Sequence, residues 1–152
     1  MVGIRVALLV SLVFSGMFFG AFASHAADDT LYKRLGGRET IKAIVSDFVD
    51  MTRKDARIRM NTSCKVSMDN CKPEEVKANL TTIVCQESGG PCNALVAKVA
   101  MQKLVGKMEF TEGEWAAMRD DFSAALIKFK LDQEEQLELH QILFKAHDKS
   151  VH

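Results

Sequence analysis

Cys64, Cys71, Cys85 and Cys92 are the four cysteines of the chain, and six residues separate the members of the first two and of the last two. Four thiolates can hold zinc, but structural zinc sites are built on close Cys-x-x-Cys clips, which these gaps do not form. No Cys-x-x-Cys-His occurs, so covalent haem attachment of the c type is excluded. In an oxidising compartment an even count points instead to bridges. Of the three pairings open to four cysteines, loop closure favours the two local ones, Cys64 with Cys71 and Cys85 with Cys92. A catalytic thiol would need a histidine near it in space, which spacing alone does not reveal.

The other chemistry-bearing residues point to little. His140 and His147 are seven residues apart on what reads as one helix, so about 10 Å separates them, too far to share a metal. They are expected at the surface. Asp28-Asp29 and Asp120-Asp121 are most simply solvated charges. No nucleophilic or paired-carboxylate dyad is legible, so binding is expected rather than catalysis.

The compartment is set by the start of the chain. Arg5 is followed by an uncharged stretch up to Asp28, with an apolar run from Val6 to Phe14 and then Gly16 and Gly20. Small residues precede both Ala23 and Ala26 at the positions a signal peptidase reads. Residues 1–26 are therefore expected to be a secretory signal, with cleavage after Ala26 favoured over Ala23. The alternative is a retained anchor, because an uncharged run of this length can just span a bilayer; a membrane is expected as partner only in that case. The protein is expected to be exported, periplasmic or secreted. With 20 basic and 20 acidic residues the chain gives no electrostatic reason to expect nucleic acid or an anionic membrane as partner. Nothing in the sequence speaks to oligomeric state.

Residues 27–152 read as helix after helix, an all-α single domain. Ile41, Ile44, Val45, Phe48 and Val49 repeat on one helical face. Periodicity fails between Asp55 and Lys72, which predicts a long loop. Pro73-Glu74-Glu75 starts a second helix, because proline fits the first turn and carboxylates favour its positive end. Val76, Leu80, Ile83 and Val84 form its face, and Gly89-Gly90-Pro91 stops it. A looser pattern of Leu95, Val96, Val99, Leu104, Val105 and Met108 follows, interrupted by Gly106. Thr111 and Glu114 have capping-box spacing ahead of Trp115, Met118, Phe122, Leu126 and Phe129. Asp132 and Glu135 repeat that spacing before a stripe of Leu139, Ile142, Leu143 and Ala146.

Several segments, in order, resemble the truncated haemoglobins, and most their group I branch. Leu31-Tyr32-Lys33-Arg34-Leu35-Gly36-Gly37-Arg38-Glu39 is similar to the family's opening helix and glycine turn. Asp47-Phe48 falls where the family has a buried Phe. The run Leu80 to Cys92, through Gly89-Gly90-Pro91, resembles its second glycine motif. Phe110-Thr111-Glu112-Gly113-Glu114-Trp115 resembles the start of its penultimate helix, and Lys128 to Gln136 its final helix junction. The resemblance spans about Leu31 to Val151. It implies a truncated-globin-like two-over-two helical sandwich around haem, with diatomic gas binding or nitric oxide chemistry.

The residues that would serve haem depart from that pattern. The family's proximal His, four residues after a Met and five before the residue that opens Thr-x-x-Glu, maps to Val105, and valine has no donor atom. No His occurs between His25 and His140. Val49 stands where the family has the distal Tyr, and no aromatic occurs in Arg59-Met60-Asn61-Thr62, where a Phe pair would pack on the haem edge. Met101 and Met108 flank Val105 and thioethers can ligate haem iron, as can deprotonated Lys103 or Lys107. Core filling is the commoner role of such methionines. Phe48, Val49, Asn79, Leu80, Met101, Val105 and Met108 are thus the candidate pocket residues.

Three readings follow. One is an exported truncated-globin-like protein that binds a diatomic ligand through haem with a substituted axial ligand. The second is a haem-free globin-fold module that binds a small apolar ligand or partner. The third is a disulfide redox or sensor protein using the paired cysteines.

Overall fold

A computed structural model describes residues 30–59, 72–105 and 110–147. Seven helices run in order through them: α1 (Leu31–Arg34), α2 (Arg38–Lys54), α3 (Ala56–Arg59), α4 (Pro73–Glu87), α5 (Ala94–Val105), α6 (Glu112–Lys128) and α7 (Gln133–His147). Among the described residues there is no strand, and the protein is all-α. The expected leader, residues 1–26, lies outside the described residues, as do Cys64, Cys71, Gly106 and Met108.

Helix starts follow their sequence signals. Thr111 Oγ1 accepts the Glu114 amide while a Glu114 carboxylate oxygen accepts the Thr111 amide, the reciprocal satisfaction of two free donors that the spacing predicts. Asp132 and Glu135 repeat the exchange at α7, at 2.8 and 3.0 Å. Pro73 opens α4, where its missing amide costs nothing. One expectation is corrected: the loop expected from Asp55 begins with a helical turn, α3, because Ile58 has a core to enter and is 1% exposed.

The helices are held by their apolar faces. Ile41, Ile44, Val45, Phe48 and Val49 of α2 are all buried, so the predicted stripe is the real one. α2 packs on α4 and α6; α4 packs on α5, and α7 touches α1, α4 and α6. On α5 the buried positions are Ala97, Ala100 and Leu104, whereas Leu95, Val96 and Val99 are exposed. The expected apolar pattern is corrected there: small alanines let α5 lie close against α4, and the larger side chains turn outward.

Two glycine turns fix the approach of α1. Gly36 and Gly37 hold φ of +84° and +87°, a region costly for residues with a Cβ, and this permits the reversal from α1 into α2. At Gly90 a Cβ would lie 2.4 Å from a Tyr32 ring carbon and 2.7 Å from the Cys85 carbonyl oxygen. Only glycine admits that contact. The Tyr32 amide donates to the Ser88 carbonyl at 2.9 Å, tying α1 to the end of α4.

Candidate functional site

Helices α2, α4, α5, α6 and α7 converge on a partly open apolar cavity of about 50 Å³. Its walls are Val45 and Phe48 from α2, Leu80, Ile83 and Val84 from α4, Met101 and Leu104 from α5, Phe122 from α6, and Leu139, Ile142 and Leu143 from α7. All of these side chains are apolar, so water entering would find few partners, and an empty apolar cavity stays dry. Phe48 and Phe122 shape one end, edge to face with ring centroids 5.1 Å apart.

Three sequence candidates, Phe48, Leu80 and Met101, therefore meet at this cavity. Val49 is 4% exposed but does not line it, and the half-buried Asn79 does not line it either. Val105 ends α5. Met108 lies outside the described residues. The α6 and α7 walls, Phe122, Leu139, Ile142 and Leu143, were visible as helical stripes, but nothing in a stripe says that it faces the same hole as another.

His140 is not the expected surface residue. It is half-buried, its ring meets Phe122 edge to face at 5.2 Å, and its Nε2 lies 3.1 Å from Ser123 Oγ. Burial pushes its pKa below the ordinary value, and the nearby Arg119 charge acts in the same direction. Asp120 is exposed as expected and pairs with Arg57 at 2.7 Å. Asp121 is not: it is half-buried, with Oδ2 lacking a hydrogen-bond partner among the described residues. Desolvation, then repulsion from Asp55, raise its pKa.

Cys85 and Cys92 form a disulfide with Cα atoms 5.9 Å apart, as local pairing predicts. It ties the last turn of α4 to the segment entering α5. Cys85 is fully buried, and Arg38 Nη1 donates to Cys92 Sγ at 3.1 Å. The other expected bridge, Cys64 with Cys71, lies outside the described residues. Among the described residues no cluster of His, Cys, Asp and Glu could hold a metal ion, and no helix is long and apolar enough to cross a membrane.

The resemblance implies haem, and the cavity can be tested for it. Sites that enclose drug-sized molecules have volumes of about 300–1,000 Å³, and a space of about 50 Å³ is far below what a porphyrin needs. The Met101 thioether is the one potential iron donor among the lining side chains, and no lining residue carries a side-chain nitrogen. His140 directs Nε2 to Ser123 and does not line the cavity. The described residues as arranged do not fit haem. Compared with protein-family models and with curated proteins, the chain matches none.

Proposed function

We propose that the protein is an exported, haem-free binding module whose helical cavity takes a small apolar or diatomic ligand. The observation that carries this reading is the cavity of about 50 Å³ lined by eleven apolar side chains from five helices. Engineered dry cavities that take benzene or xenon measure about 150 Å³, so this smaller space suits a diatomic molecule or a single apolar atom. Affinity comes from replacing an empty volume with dispersion contacts to the apolar walls. Apart from the Met101 thioether no lining side chain is a potential iron donor, and none is an acid or base, so storage or sensing is the role this reading assigns.

The truncated-globin-like two-over-two sandwich belongs to the same proposal. It is supported by the short opening helix, the turn at Gly36-Gly37, the second turn at Gly89-Gly90, and the packing of α2 against α4 and α6. The thiol redox reading is weaker on geometry. An incoming thiolate could reach only the partly exposed Cys92, and it would have to expel the Cys85 thiolate into the core, where desolvation disfavours the charge.

The test is the visible spectrum of the protein purified from haem-supplemented cells. A colourless protein that does not take up added haemin is expected. A Soret band at stoichiometric haem that shifts on Met101→Ala would replace this reading with ligation by a substitute residue.

A further inference from the structure

Five large hydrophobic side chains are strongly exposed among the described residues, and three of them, Leu95, Val96 and Val99, lie within two turns of α5. At 3.6 residues per turn, Leu95 and Val99 share with the exposed Gln102 the face opposite the buried Ala97, Ala100 and Leu104. Lys98 and Lys103, both exposed, fall on either flank of that face. The helix sequence ALVAKVAMQKLV contains no acidic residue. Among the described residues neither lysine is ion-paired.

A largely apolar face, with Gln102 as its one neutral polar member, between lysines whose stems can lie along it while their ammonium groups reach outward is the pattern of a helix lying in a lipid interface. We propose that the outward face of α5 is a docking surface for an anionic bilayer. The charge decides the occupant. A second copy docking through this face by two-fold symmetry would set Lys98 and Lys103 against themselves. The uncharged stretch from Val6 to Ala27 has no carboxylate to offer them. Anionic headgroups satisfy the lysines, and the acyl boundary covers Leu95 and Val99. The membrane expected as a partner only through a retained leader is then met by the domain's own helix, independently of the cavity.

The experiment is amide hydrogen exchange of the full chain with vesicles of phosphatidylcholine mixed with phosphatidylglycerol, and with vesicles of phosphatidylcholine alone. Reading exchange in residues 94–105 separates docking of α5 from insertion of the N-terminal stretch. Protection of these amides on the anionic vesicles only, lost in Leu95→Glu/Val99→Glu, is expected. Vesicle affinity of Lys98→Gln/Lys103→Gln should fall by about thirtyfold, since each lysine near an anionic surface contributes about 1 kcal/mol. Ile127→Glu, exposed on α6, should change nothing. Absence of protection, or equal protection on both vesicle types, overturns the proposal. Protection that grows with protein concentration without lipid assigns the face to a second copy and overturns it equally.

Discussion

Phe48 on α2 and Phe122 on α6 meet edge to face at 5.1 Å between ring centroids, and both rings line the same cavity. The contact joins α2 and α6, the two longest of the described helices, at the wall of that cavity. Each ring is at most 5% exposed, so losing either removes a large buried area and an aromatic pair.

Phe122→Ala should therefore cost about 3–5 kcal/mol, the usual range for deleting a buried aromatic ring and leaving a hole. Phe122→Leu, which keeps most of the volume, should cost about 1–2 kcal/mol. Urea unfolding midpoints measure both. Equal, small costs would mean that the ring does not hold the helices together.

His140 makes stability pH-dependent. Burial lowers its folded pKa below the unfolded value near 6.5, so the unfolded chain binds the proton more readily. Stability is complete above about pH 6.5 and falls as pH drops from there to the depressed folded value. The urea midpoint should decline across that window, and His140→Gln should flatten the decline. A decline unchanged by the substitution would place its origin elsewhere.

Asp121 works in the opposite sense. Its raised folded pKa means that the ionised form is disfavoured in the fold, so its contribution to stability decreases as pH rises through the carboxylate range. Asp121→Asn should stabilise the protein at neutral pH, by no more than about 1 kcal/mol after solvent screening. Thermal melts at pH 7 and pH 4 check this: the gain should be present at the first and shrink at the second.

The Cys85–Cys92 bridge closes a short loop, with a sequence separation of 7. Chain entropy then assigns it about 2–3 kcal/mol. Replacing both cysteines by serine should lower stability by about that amount while the helical circular dichroism spectrum persists. Loss of the helical spectrum would make the bridge a condition of folding and not a staple.

Legibility in the sequence followed the range of the physics involved. The capping exchanges at Thr111–Glu114 and Asp132–Glu135 and the proline start of α4 are local, and spacing alone located them. The α2 stripe was readable because all five of its members face one core. α5 misled because its buried face is built from Ala97 and Ala100, which carry little hydropathy signal, while Leu95 and Val99 carry much and face outward. The burial of His140 depends on Phe122 and Ser123, seventeen or more residues away in sequence. The cavity was the least legible feature, since Phe48, Leu80, Met101 and Phe122 come from four helices and only packing brings them together.

Xenon tests the cavity most directly. It is apolar, needs no hydrogen bond, and enters dry protein voids. Under xenon pressure, backbone and methyl NMR shifts should move in a saturable way for residues around Phe48, Leu80, Met101 and Leu139, and Leu80→Phe, which fills the space, should abolish the response. Shifts that are absent, or that are the same in Leu80→Phe, would contradict a ligand-accepting cavity at this site.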